Sequence, residues 1–173
     1  MHISYSELKA FWTCPMQYRL RTLHGRMPDS LWSHLGRVLM KVAETFYRDA
    51  WWEDPDTAYA KAKLLALEQA AGTGLLDDLK MLTLLETVPI LMVNAVKDLK
   101  LIGSENYVEQ EFTLPMGDDV VHGRVDFLLK QADGLVLLDG KACGTLGRNA
   151  DVDQLMTYRL IVQHSFGVLP VRQ

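Results

Sequence analysis

Hydrophobic residues at helical spacing dominate the N-terminal part of the chain. Between residues 31 and 52 the apolar side chains recur every three or four positions, which is typical of an amphipathic helix. Further helices are predicted over residues 54–72, 75–85 and 89–101, with Pro55 and Pro89 in the first turns of the first and last of these. Residues 1–103 are therefore expected to be mostly helical.

Two short helices are predicted before residue 31. Ser4 and Glu7 have the spacing of a capping box, in which the serine side chain accepts a hydrogen bond from the amide three residues on and the glutamate reaches back. The first helix is expected to end near Cys14, because the residue before a proline is disfavoured in the helical region. Pro15 then opens the second helix.

The pattern changes after Gly103 to segments rich in valine, leucine and phenylalanine that are separated by turn residues. Strands are predicted over residues 107–114, 120–130 and 135–141, followed by a helix over residues 152–164 and an apolar end, residues 166–171, that is a candidate for one more strand. Helices followed by strands and a final helix predict an α+β or α/β domain whose small mixed sheet is flanked by helices.

A predicted hairpin brings together the residues with the clearest chemical interest. If Asp133-Gly134 forms the two-residue turn that this dipeptide favours, Asp126 lies opposite Lys141. Asp139 then lies on the same face, diagonal to Asp126 and within about 7 Å of it. The sequence therefore predicts two carboxylates and one ammonium group on a single patch of the sheet.

Charges at this position suggest a function because residues 135–138 are apolar on both faces, as in a strand that is covered on both sides. Two carboxylates with nearby backbone carbonyls form a hard-ligand site suited to Mg²⁺ or Mn²⁺, and Lys141 is placed to position or deprotonate a water. Such a site is suited to phosphodiester hydrolysis. The alternative is a salt-bridged hairpin without a catalytic role.

Composition limits the classes of protein that remain. The 173 residues are the size of one domain, so residues 1–173 are expected to form a single domain. A formal net charge of −4 excludes a generally cationic protein, and any polyanion must be held by a local basic patch. No signal peptide or long apolar run is visible, which predicts a cytoplasmic protein without a membrane partner.

Four motifs in order along the chain resemble those of the PD-(D/E)XK nuclease superfamily, in its RecB-like and AddB-like branch, which also contains CRISPR-associated and phage exonucleases. They are the N-terminal S-x-S…C-P…Y pattern from Ser4 to Tyr18, Gly123-Arg124-Val125-Asp126, Asp139-Gly140-Lys141, and Gln154 with Tyr158. The resemblance implies a restriction-endonuclease-like core and a metal-dependent DNA nuclease. It also implies an exonuclease that acts on single strands or DNA ends in DNA processing, repair or recombination.

The resemblance also implies a role for individual residues. Asp126 and Asp139 would ligate Mg²⁺ or Mn²⁺ together with the carbonyl of Gly140. Glu109 matches a glutamate that this branch often carries on the preceding strand as a further metal ligand, although the neighbouring Glu111 competes for that position.

Three other motif residues would act on the substrate and the attacking water. Lys141 would hold the water, Gln154 would orient the active site, and Tyr158 would reach a phosphate. Without the motif, Gln154 and Tyr158 are equally well explained as a pair on a helix surface.

The chain departs from the branch in three places. Met40 stands where the branch usually has a histidine that ligates metal, so the site has room for one metal or for a weaker second one. Cys14 matches the first cysteine of the iron–sulphur members, but no further cysteines follow Tyr158, so no cluster is expected. The chain also ends at Gln173, earlier than usual, which suggests a minimal or truncated member, or one completed by a partner chain or a homo-oligomer.

These departures leave a second functional hypothesis open. A nuclease fold with a weakened site would serve as a catalytically weak or inactive module that binds DNA or a partner protein.

Overall fold

The computed structural model describes residues 2–25, 29–99, 101–102, 106–140 and 152–170. Within these residues there are six α-helices and four strands. The helices are α1 Tyr5–Thr13, α2 Pro15–His24, α3 Leu31–Arg48, α4 Pro55–Ala70, α5 Leu79–Leu99 and α6 Val152–Phe166. The strands are β1 His2–Ser4, β2 Tyr107–Met116, β3 Asp119–Gln131 and β4 Gly134–Leu138. The predicted mixed sheet with a helical N-terminal half is confirmed.

The N-terminal capping box is present. The Ser4 side chain accepts a hydrogen bond from the Glu7 amide at 3.3 Å, and the Glu7 carboxylate accepts one from the Ser4 amide at 2.9 Å. The bond from the Ser4 amide, and then a bond of 2.8 Å that the Ser4 hydroxyl donates to the same carboxylate, hold the pKa of Glu7 below its usual value. Cys14 has an extended backbone and ends α1, and Pro15 begins α2, as the sequence predicts. The preceding strand β1 was not predicted, because three residues are too few to show a periodicity.

Helices α3, α4 and α5 form a layer with its own hydrophobic core. Helix α4 contributes four fully buried alanines at every fourth position, Ala58, Ala62, Ala66 and Ala70. Small side chains in this register let the neighbouring helices approach closely. Leu35 and Val42 of α3 and Leu85 of α5 share one buried cluster with the last three of these alanines, whereas Ala58 belongs to the cluster of Phe46 and Tyr47.

Helix α5 corrects the prediction of two helices over residues 75–85 and 89–101. A short 3₁₀ helix, Leu75–Asp77, precedes one continuous α-helix that contains Pro89 in its interior. A proline there removes one backbone hydrogen bond, but Pro89 is buried, so packing of its ring offsets part of that cost. The sequence signal was misleading because proline favours a helix start on average, whereas burial decided the outcome here.

The sheet is organised around the long strand β3. Strand β2 pairs antiparallel along one edge of β3, from Met116 opposite Asp119 to Tyr107 opposite Leu128. On the other edge, β1 runs parallel beside residues 120–122 and β4 runs antiparallel beside residues 127–131. Residues 123–126 therefore lie where β3 changes neighbours, and this is the segment that carries the Gly123-Arg124-Val125-Asp126 motif.

Helix α6 covers one face of the sheet and α3 covers the other. Tyr158, Ile161 and Val162 of α6 are buried against Val125 and Leu128. Phe46 and Tyr47 of α3 pack with Phe127 and Leu129 in a second buried cluster. The carboxylate-bearing end of the hairpin consequently lies between two helices.

The prediction of a further strand at the C-terminal end is not supported over the described part. Phe166 is the last residue of α6, and residues 167–170 have no strand pairing. In the described part of the chain, no helix has the length and apolar character needed to cross a membrane.

Candidate active site

The β3–β4 hairpin has a different register from the predicted one. Gln131 pairs with Gly134, so the turn residues are Ala132 and Asp133 rather than Asp133 and Gly134. Gly134 has a positive φ of 144°, whereas Ala132 and Asp133 are not among the described residues with positive φ. The conformational freedom of glycine is thus used in the first residue after the turn, not within it.

This register corrects the predicted partner of Asp126. Phe127 pairs with Leu138, so Asp139 falls opposite Asp126 where the sequence predicted Lys141. The Gly140 amide donates a hydrogen bond of 2.8 Å to Asp126 Oδ2, which shows that the segment after β4 stays beside β3. Lys141 lies outside the described residues. Asp126 and Asp139 are thus the residues that directly follow the last pair of the ladder, Phe127 with Leu138, so continuing the register makes them neighbours across the hairpin rather than diagonal as predicted.

The alternation of side chains along β3 changes at Asp126. Val125 packs against Tyr158 of α6, whereas Phe127 packs against Tyr47 of α3 with ring centroids 4.9 Å apart. Residues two apart on a regular strand face the same side of the sheet. Val125 and Phe127 face opposite sides, so the regular alternation of β3 is interrupted between them. The register places Glu109 opposite Asp126, and Glu109 has a left-handed φ of 51°. Such a conformation costs roughly 1–2 kcal/mol in a residue with a Cβ, and irregularities of this kind are common at functional sites.

Helix α6 brings a tyrosine to the carboxylate pair. The Gln154 side-chain amide donates a hydrogen bond of 2.8 Å to the Tyr158 hydroxyl, one helical turn away. Burial raises the pKa of Tyr158, the hydrogen bond from Gln154 opposes that shift, and the negative charges of Asp126 and Asp139 raise the pKa further. The phenol therefore stays protonated at neutral pH, and its hydroxyl is a hydrogen-bond donor close to both aspartates.

Gly123 permits this approach of α6. A Cβ at Gly123 would lie 2.6 Å from Ile161 Cδ1 and 3.2 Å from Tyr158 Cε1. Both distances are shorter than ordinary carbon–carbon contacts. The glycine of the motif thus has a packing role that spacing alone did not reveal.

Glu109 is held by an arginine from the same motif segment. Arg124 Nε lies 2.7 Å from Glu109 Oε2, and the side chains are 63% and 18% exposed. Among the described residues, no group of three or more His, Cys, Asp or Glu side chains is close enough to hold a metal. Glu109 lies opposite Asp126 in the register of β2 and β3. Glu111, the competing glutamate, is exposed. Its backbone lies opposite that of Arg124 in the register of β2 and β3.

Met40 of α3 lies beside the candidate site, at the position where the sequence analysis noted a missing histidine. A Cβ at Gly140 would lie 3.4 Å from Met40 Cε and 3.5 Å from its Sδ. The third contact of that Cβ would be with Phe127, also at 3.5 Å. An apolar thioether thus closes the α3 side of the segment that carries Asp139 and Gly140.

The donor set fits a divalent cation. Asp126 and Asp139 are only partly exposed, and the hydrogen bond from the Gly140 amide to Asp126 keeps the segment that carries Asp139 beside Asp126. Carboxylate oxygens are the ligands that Mg²⁺ and Mn²⁺ prefer.

The fold and the site together define a nuclease-like protein with an acidic centre at the end of a hairpin. A family model of the PD-(D/E)XK nuclease superfamily matches residues 2–173, and the chain belongs to this superfamily. Its nucleases generally use divalent metal ions, and their substrate is DNA. Neither a curated protein nor a solved structure matches the chain.

Proposed function

We propose that the chain is a Mg²⁺- or Mn²⁺-dependent deoxyribonuclease of the RecB-like and AddB-like branch, folded as one domain, and that it acts as an exonuclease. The observation that carries the proposal is that Asp126 and Asp139 both lie just beyond the last pair of the hairpin and that both negative charges act on the hydroxyl of Tyr158. A surface ion-pair ladder would not need two acids at the same end of the hairpin beside a buried tyrosine.

Each residue has a distinct part in this proposal. Asp126 and Asp139 hold the cation, with the carbonyl of Gly140 as a third oxygen ligand. When bound, a divalent cation acts as a Lewis acid on a phosphoryl oxygen and lowers the pKa of a water. Tyr158 donates its hydroxyl proton in a hydrogen bond to a phosphate oxygen. Gln154 fixes that hydroxyl by donating to its oxygen, so the phenol proton stays available for an acceptor other than Gln154.

The remaining motif residue is assigned on sequence alone. Lys141 follows Asp139 by two residues, and we propose that its ammonium group holds the attacking water. Glu109 enters the proposal as a further metal ligand only if its ion pair with Arg124 opens.

A second candidate is a catalytically weak or inactive module of the same fold. The position of Met40 beside Gly140 favours it, because a thioether is a poor ligand for Mg²⁺.

The test is an assay of wild-type protein on end-labelled linear and covalently closed circular DNA, with Mg²⁺ or Mn²⁺ and with chelator. We expect metal-dependent release of nucleotides from the linear DNA, with the circle intact. Asp139→Asn is expected to abolish cleavage, whereas Asp118→Asn, an exposed carboxylate in the β2–β3 turn, serves as the matched control. Nicking of the circle would refute the exonuclease assignment. Binding of DNA without cleavage under every metal condition would favour the second candidate.

A further inference from the structure

A pocket of about 250 Å³ opens between α1, α2 and α6. Its walls include Ser6, Lys9 and Thr13, which lie on one face of α1, together with Arg21 of α2 and Gln154 of α6. This volume is below the roughly 300–1,000 Å³ of pockets that enclose drug-sized molecules, so the pocket suits a small group such as a phosphate with its sugar. We call it the α1–α2 pocket.

The α1–α2 pocket is positively charged although the chain is acidic overall. It contains an ammonium and a guanidinium group, and no carboxylate is among the described residues that line it. Hydroxyl groups from Ser6 and Thr13 add hydrogen-bond donors to the same wall. Lysine, arginine and hydroxyl side chains are the groups that bind phosphate oxygens.

Three cations outside the pocket form ion pairs with described carboxylates. Arg37 pairs with Asp29, Lys41 pairs with Glu44, and Arg124 pairs with Glu109. Arg21 makes no ion pair with any described residue. The α1–α2 pocket is thus a local basic patch of the kind that the net charge of −4 requires for binding a polyanion.

Gln154 joins this pocket to the candidate active site. It lines the pocket and also donates a hydrogen bond of 2.8 Å to the Tyr158 hydroxyl. The pocket is therefore only one side chain away from the hydroxyl that is proposed to contact the scissile phosphate.

We propose that the α1–α2 pocket binds a phosphate group of the DNA strand through Lys9 and Arg21, next to the phosphate that is cleaved. The inference rests on the proposed function, since it assumes that the strand passes Tyr158. The shared chemistry is a phosphate, which is either an internal phosphodiester or a terminal phosphate. Either source places the strand in a fixed register relative to the carboxylate pair.

The test measures binding of a fluorescent single-stranded oligonucleotide at several salt concentrations, in the full chain with Asp139→Asn to prevent cleavage. Lys9→Gln and Arg21→Gln are each expected to weaken binding several-fold and to lower the salt dependence of log K by about 0.7 per lost phosphate contact. Lys61→Gln, an exposed lysine of α4, is the matched control and is expected to bind like its parent. Far-ultraviolet circular dichroism confirms that each variant is folded.

Oligonucleotides with a 5′-phosphate, a 3′-phosphate or hydroxyl ends distinguish the two sources. A terminal phosphate is the ligand if it strengthens binding and that gain disappears in Arg21→Gln. An internal phosphate is the ligand if the ends have no effect while the losses in Lys9→Gln and Arg21→Gln remain. The proposal is wrong if both variants bind like their parent, or lose no more affinity than Lys61→Gln.

The binding test of the α1–α2 pocket and the nuclease assay can fail independently of each other. Cleavage by wild-type protein together with unchanged binding in the two variants would overturn the pocket and leave the nuclease. Loss of binding in both variants, with no cleavage by wild-type protein under any metal condition, would overturn the nuclease and leave the pocket.

Discussion

Gly123→Ala tests how the motif glycine positions α6 over the carboxylate pair. Gly123 does not have a positive φ, so alanine can adopt its backbone conformation. The added Cβ would instead meet Ile161 Cδ1 at 2.6 Å and the ring of Tyr158 at 3.2 Å. Ile161 is fully buried, so its side chain has little room to move.

The size of the effect follows from two opposing terms. Overpacking of a well-packed core costs about 1–3 kcal/mol, and alanine in place of glycine recovers about 0.4–1 kcal/mol by restricting the unfolded chain. We therefore expect Gly123→Ala to lower the free energy of unfolding by about 1–2 kcal/mol. Ile161→Val removes the clashing Cδ1 and costs about 0.5–1.5 kcal/mol by itself.

The assay is urea unfolding of wild type, both single variants and the double variant. If Ile161 Cδ1 is the atom that excludes a side chain at position 123, the double variant loses less free energy of unfolding than the two single variants together, by about 1 kcal/mol. Nuclease activity follows the same order, because Tyr158 moves with α6. Losses that add within about 0.5 kcal/mol would refute the reasoning, since they would show that Ile161 does not exclude a side chain at position 123.

The remaining predictions concern the tyrosines and Met40. Tyr158→Phe keeps the buried ring but removes the phosphate donor, so we expect kcat to fall about 100-fold with little change in the urea midpoint; an unchanged kcat would contradict its role. Burial raises the pKa of Tyr47 to about 12. A tyrosine whose folded pKa is raised contributes stability below its unfolded pKa of about 10, and this is lost as pH rises to about 12. Tyr47→Phe should therefore flatten the decline in stability between about pH 10 and 12, measured by urea unfolding, and an unchanged decline would argue against a buried neutral phenol. Met40→His places an imidazole beside Gly140, and we expect tighter Mn²⁺ binding by calorimetry; weaker binding would show that position 40 does not face the cation.

The sequence predicted the elements that carry strong local signals. The capping box at Ser4, the break at Pro15, the amphipathic pattern of α3 and the three strands after Gly103 are all present because local sequence decides them. The predicted helix start at Pro89 and the predicted turn at Asp133-Gly134 were wrong. Packing decided the burial of the proline, and turn geometry decided the φ of Gly134, and neither can be read from the local sequence.

In the candidate site, too, local sequence indicated some features and tertiary packing decided the others. The motifs pointed to Asp126 and Asp139, whose role as metal ligands stays a prediction, and the Gln154 side chain donates a hydrogen bond to the Tyr158 hydroxyl, as the spacing of the two residues allows. The left-handed backbone of Glu109 and its ion pair with Arg124 had no sequence signal, because they arise where β3 turns over between two helices. Lys9 was missed for a similar reason, as only the folded chain brings it to the same pocket as Gln154, which is far away in sequence.

The most direct test of the account is a Mn²⁺ titration followed by the electron paramagnetic resonance signal of the free ion. We predict that wild-type protein and Asp118→Asn bind Mn²⁺ equally, and that Asp126→Asn and Asp139→Asn each lose this binding while remaining folded. Equal binding by all four proteins, or none by the wild type, would contradict the claim that the paired aspartates form a metal centre.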